Sequence, residues 1–147
     1  MKLYIDGTEQ QSSQRNEAGT KYEWQVEKIF DAPQSAQIIG IECDDEGNKE
    51  GILASVEDVQ CKMTITTDST WKCSSRNQSG WTNVHFEIES DLWSNAKELG
   101  KHGVEPWGKI GKISDEAKWI WVEDHPEPDG TSYCRVEMKH ASKLLSE

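Results

Sequence analysis

The chain is 147 residues long, 34% hydrophobic, and carries a formal net charge of −11 from 27 acidic and 16 basic side chains. That balance disfavours nucleic acid and anionic membranes, whose phosphates are recognised mainly by clustered Lys and Arg, and no apolar run approaches the ~20 residues needed to span a bilayer. Low hydropathy with high charge leans toward disorder; the seven tryptophans, each able to bury roughly 150–250 Å², argue instead for one folded domain over residues 1–147 with a small aromatic core.

Taken in chain order, Leu3-Tyr4-Ile5 predicts a strand that stops at the turn dipeptide Asp6-Gly7. These opening residues lack a signal peptide's apolar run, so export implies a leader already removed. A polar loop over 9–20 precedes residues 22–30, which alternate apolar and polar like a half-buried strand and end at Ala32-Pro33. Residues 36–43 form a nearly continuous apolar run, expected of a central strand covered on both faces. An acidic, turn-rich segment spans 44–51, and strands are expected over 52–55, 59–66, 71–73 and 81–88. Residues 91–100 carry a capping Asp91, apolar residues near helical spacing and a closing Gly100, which predicts one short helix. After a glycine-rich loop, the last strands cover 118–122 and 132–138, separated by the acidic turn 123–130. Trp119 and Trp121 fall on one face of their strand and Ile120 on the other. About eight strands without strand–helix alternation imply an all-β antiparallel β-sandwich or jelly roll.

Cys43, Cys61, Cys73 and Cys134 show neither CxxC pairing nor metal-ligand spacing. An even count suits two disulfides in an oxidising compartment, with three connectivities open; buried free thiols are the alternative. By chain entropy, a Cys43–Cys61 loop is worth ~3 kcal/mol and a Cys73–Cys134 loop ~4 kcal/mol. The sequon Asn77-Gln78-Ser79 is compatible with secretion.

These residues bear a resemblance. Leu3-Tyr4-Ile5-Asp6-Gly7, Ile38-Ile39-Gly40-Ile41-Glu42, Gly51-Ile52-Leu53-Ala54-Ser55 and Ser69-Thr70-Trp71-Lys72-Cys73 occur in that order. They are followed by Trp81, Asp91-Leu92-Trp93, Pro106-Trp107-Gly108, Lys118-Trp119-Ile120-Trp121 and Tyr133-Cys134-Arg135. The set resembles the galactose-binding-like jelly-roll domains found as accessory modules of glycoside hydrolases and in invertebrate lectin-like extracellular proteins. The resemblance implies a secreted, non-catalytic lectin for galactose or related terminal sugars, with Cys73 and Cys134 as a disulfide pair. One departure is that the aromatic-x-Arg pattern stands at the far end of this chain, as Tyr133-Cys134-Arg135.

Sugar recognition needs a flat apolar ring against C–H groups and planar polar groups for hydroxyls. End loops supply the expected set: Trp93, Asn95, His102, Glu105 and Trp107, with Asp124, His125, Glu127 and Asp129 on the last hairpin. Trp107 has a structural plug as its rival role. Asp44, Asp45, Glu46 and Asn48 offer hard oxygen ligands beside Gly47, so calcium is a candidate cofactor, although the spacing is not that of an EF-hand. Residues 123–129 form a second calcium candidate. No nucleophile elbow, zinc-protease helix, Walker loop or dinucleotide turn is present, so no enzyme is expected. Glycans are the expected partners, with a homodimer as the route to avidity. A structural or adhesive module binding protein or mineral through its acidic surface is the rival.

Overall fold

The computed structural model describes residues 1–11, 28–44, 51–58, 63–104, 108–123 and 130–138. Regular structure among them is entirely β: β1 (Lys2–Ile5), β2 (Thr8–Gln10), β3 (Ile38–Asp44), β4 (Ser55–Asp58), β5 (Met63–Thr66), β6 (Lys72–Ser74), β7 (Ser94–Asn95), β8 (Lys97–Lys101), β9 (Lys118–Trp121) and β10 (Thr131–Glu137). One six-stranded sheet runs in the order β2-β1-β3-β10-β6-β7, and two hairpins, β4-β5 and β8-β9, lie apart from it. Every pairing is antiparallel.

The hairpins are stitched into a second layer by Ile52 and Ile120, whose N–H groups donate to each other's carbonyls at 2.9 Å. Thr67, fully buried, strengthens that seam. Its N–H donates to Ala54 O at 3.0 Å and its carbonyl accepts from Lys118 N–H at 2.9 Å. Its hydroxyl donates to Lys118 O at 2.7 Å and accepts from Ala54 N–H at 3.1 Å. A single threonine thereby answers backbone groups of two other segments that would otherwise be buried unpaired.

Both layers contribute to one core. Ile5, Ile39, Ile41, Cys73 and Cys134 from the large sheet meet Ile52, Ile120 and Trp121 from the second layer, with Trp71 between them. The Trp71 indole N–H donates to Thr66 O at 3.0 Å, so the ring is buried without an orphaned donor. Cys73 and Cys134 stand opposite each other on β6 and β10 and form a disulfide. The result is an all-β antiparallel sandwich.

Local chemistry explains the first hairpin. Asp6 (φ 47°) and Gly7 (φ 90°) both take positive φ, the conformation a two-residue hairpin turn demands. The Asp6 carboxylate then accepts from the N–H groups of Gln37 (3.0 Å) and Ile38 (2.8 Å), fixing the turn to the start of β3. Strand β3 is covered on both faces over residues 38–41, as its apolar run predicts. Ile39 and Ile41 enter the core, whereas Gly40 lies beneath Trp81, where an added Cβ would come within 2.9 Å of the indole ring and of the Thr82 methyl.

Two expected elements are replaced. The helix over 91–100 is not formed; no helix occurs among the described residues. One turn overlaps the start of the segment, with Leu92 and Trp93 N–H both donating to Glu89 O, after which the chain becomes β7 and β8. Pairing with β6 and β9 satisfies this backbone, and Ala96 N–H donates to Trp71 O at 2.8 Å. Tertiary pairing has overridden a weak local helical preference. Residues 81–88, expected as a strand, form successive turns, with Trp81, Asn83 and Phe86 N–H donating to Gln78, Gly80 and Asn83 O. Trp81 and Thr82 are consecutive and both buried, which a half-exposed strand does not allow. In the same way Trp119, Ile120 and Trp121 are all buried, because both faces of β9 are covered. Of the strand expected over 22–30, residues 28–30 are not in a strand and the rest lie outside the described residues.

Candidate functional site

The outer face of the six-stranded sheet follows from strand parity. With Leu3, Ile5, Ile39, Ile41, Cys73 and Cys134 pointing to the core, Lys2, Tyr4, Gly40, Glu42, Asp44, Thr131, Tyr133, Arg135 and Lys72 must face the other way. The register sets Tyr4 opposite Gly40 and Gly40 opposite Arg135; in the next row Lys2 pairs with Glu42 and Glu42 with Tyr133. Toward Arg135, which is buried, this face is roofed by residues 81–93, whereas Glu42 and Tyr133 are half-buried and Asp44 is exposed.

Trp81 organises the boundary. Its ring meets Tyr4 edge-on at 5.6 Å and Tyr133 edge-on at 5.5 Å, and stacks on Trp93 at 6.0 Å. Phe86 closes the far side against Trp93 at 5.8 Å. Such pairs contribute about 0.5–1.5 kcal/mol each beyond their burial. The tyrosine rings, both half-buried, are thereby held in place. Glu42 lies between them in the strand order, its carboxylate 3.7 Å from Lys2 Nζ.

Electrostatics keep both phenols protonated. Burial is the main cause raising Tyr4 and Tyr133 above the ordinary 10.0, followed by the negative charge of Glu42. Asp44 adds to the effect at Tyr133, while the Thr131 hydrogen bond opposes it. Each phenol is a group that both donates and accepts, beside a carboxylate, and that of Tyr133 already engages Thr131.

Arg135 has a different task. It is buried, lies 5.5 Å over the Phe86 ring, and donates to Asn83 O (3.4 Å) and Phe86 O (3.5 Å). Burial lowers its pKa and Glu137 partly restores it. Its Nε has no partner among the described residues. The guanidinium tethers the 83–86 turn to the sheet.

Of the expected sugar ligands, Trp93, Asn95 and His102 fall within the described residues. Trp93, expected on an end loop, is 3% exposed and its indole N–H donates to Gln78 Oε1. His102, expected as an exposed donor, is 8% exposed. Its Nε2 accepts from Ile110 N–H at 2.7 Å, which places the proton on Nδ1, 3.1 Å from Ser114 O. Both ring nitrogens are committed to holding the 102–114 loop together, so this histidine is a structural anchor. Asn95 is exposed on edge strand β7, where its Oδ1 accepts from Lys72 Nζ. Glu105, Trp107, Asp124, His125, Glu127 and Asp129 lie outside the described residues.

Of the calcium candidates, Asp44 is exposed at the end of β3 and its carboxylate accepts from the Thr131 hydroxyl. Asp45, Glu46 and Asn48 lie outside the described residues, as does most of 123–129. Among the described residues no group of three or more His, Cys, Asp or Glu side chains is gathered to hold a metal. Cys43 is half-buried against the core, and Cys61 lies outside the described residues.

Tyr4, Glu42 and Tyr133 are the residues that sequence reasoning missed as a site. Each belongs to an expected strand, but only the register shows that they share one face. No family model, curated protein or solved structure matches the chain.

Proposed function

We propose that this is a secreted, non-catalytic carbohydrate-binding domain of galactose-binding-like jelly-roll type that takes a terminal galactose-type sugar on its Tyr4–Glu42–Tyr133 face. The carrying observation is the pair of half-buried tyrosines on either side of one carboxylate in the strand order, both held against the ring of Trp81 on the same face. The rings supply an apolar surface for the sugar's C–H groups. The phenol hydroxyls and Glu42 then supply donors and acceptors for its hydroxyls. Because the rings are already fixed, little side-chain entropy is lost on binding. The Cys73–Cys134 disulfide supports passage through an oxidising compartment. Self-association would raise avidity for clustered glycans.

A glycan array tests the reading, with free galactose as competitor and with EDTA to reveal any calcium requirement. Bound, competed signal is expected, and a blank array in the presence of calcium contradicts it. Glu42 and Asp44 share a face two residues apart on β3, about 7 Å along a strand. A chromogenic glycoside is therefore the control that separates a binder from a hydrolase.

One observation favours a second reading, an adhesive module for basic protein or mineral. Asp44 and Thr131 are paired, so the chain departs toward the acid-rich segments 45–50 and 123–129 from neighbouring points. Charge reversal in both segments would abolish such binding and spare sugar binding.

A further inference from the structure

We infer that Asn77 is an N-linked glycosylation site. The inference rests on the proposed passage through a secretory pathway and not on the sugar-binding face. Asn77-Gln78-Ser79 is an acceptor triplet, and none of the other asparagines (Asn16, Asn48, Asn83 and Asn95) is followed two residues later by Ser or Thr.

The fold presents this triplet outward. Residues 75–80 form an irregular connection leaving β6 just after the disulfide-bonded Cys73. Gln78 is half-buried, and its side-chain carbonyl accepts from the indole N–H of Trp93, itself stacked on Trp81. That anchor turns the middle residue inward and leaves Asn77 and Ser79 both exposed. The Asn77 amide makes no hydrogen bond among the described residues, so a glycan there displaces no native contact. Trp81 N–H donates to Gln78 O at 3.2 Å, which holds the segment in a turn on the surface, where bulky modification is tolerated.

The co-substrate is a lipid-diphosphate-linked oligosaccharide. Asn77 Nδ2 forms the bond to the anomeric carbon and loses one proton; the bond from that carbon to the phosphate oxygen breaks and the lipid diphosphate leaves. No electrons are exchanged with an outside reagent. The Ser79 hydroxyl completes the triplet that the transferring enzyme recognises.

The test expresses the full chain in cultured eukaryotic cells behind a supplied leader, so that entry into the secretory pathway is imposed. Intact mass is read from both the medium and the cell lysate, before and after peptide-N-glycosidase treatment. Wild type is expected to carry one glycan mass that the glycosidase removes, and Asn77→Gln and Ser79→Ala should each lack it. A leader-processed wild type of unmodified mass in both fractions overturns the assignment, as does glycan retained in Asn77→Gln. Because the leader is supplied, neither result bears on whether the natural protein is exported or binds sugar.

Discussion

At the scale of single residues, environment rather than residue type decides what each side chain does. His102 sits between glycine-containing, polar neighbours and reads from sequence as an exposed donor. Its ring instead bridges Ile110 N–H and Ser114 O, partners a few residues downstream whose loop closure no periodicity reveals. Tyr4 and Tyr133 show the converse, ordinary strand residues that become a paired surface feature. Their raised pKa values predict that these two of the three tyrosines ionise above 10.0 in the native protein. The unfolded chain releases these protons first, so the linked stability is intact below 10.0 and is lost as pH rises through the folded values. Spectrophotometric titration of native and urea-unfolded protein checks this; coincident curves would contradict it. Gly40 is the other informative residue. With a Cβ only 2.9 Å from Trp81 and Thr82, Gly40→Ala is expected to cost about 1–3 kcal/mol by overpacking, read as a lower urea midpoint at unchanged slope. An unchanged midpoint would show that the Trp81 roof yields freely.

At the scale of elements, strands whose signal is local were legible. Strand β1 with its Asp6-Gly7 turn, the twice-covered β3, β9 and β10 all lie close to where alternation or apolar runs place them. Strands whose signal is a partner were not. β7 and β8 exist because β6 and β9 offer backbone groups to them, and their sequence alone carries a helix's spacing and caps. Residues 81–88 alternate yet form turns, because their role is to lay Trp81 and Phe86 over a sheet face. The disulfide joins two elements far apart in sequence, 61 residues. Replacing both Cys73 and Cys134 with Ala is expected to cost ~4 kcal/mol by the chain-entropy estimate, seen as a fall in unfolding temperature. A change below about 1 kcal/mol, the range of an ordinary substitution, would mean that the cross-strand pairing of β6 and β10 suffices by itself.

At the scale of the whole molecule, two antiparallel layers bury one core and leave the second face of the larger sheet divided in use. One part is roofed by the Trp81–Trp93 segment and tethered through Arg135; at the edge of that roof Tyr4, Glu42 and Tyr133 are half-buried. All-β class and antiparallel order were legible from composition and patterning. The proposed sugar-binding face was not, since it is a property of strand register across β1, β3 and β10, which are widely separated in sequence. A net charge of −11 disfavours approach to phosphate-rich surfaces on electrostatic grounds and is compatible with the proposed neutral sugar ligand. The most direct test of the sugar-binding face is calorimetric titration of an array-identified glycan into wild type and Tyr133→Ala, each first shown to be folded by near-UV circular dichroism. The face predicts a loss of about 1–2 kcal/mol, roughly five- to thirtyfold in affinity; unaltered affinity in a folded Tyr133→Ala would contradict it.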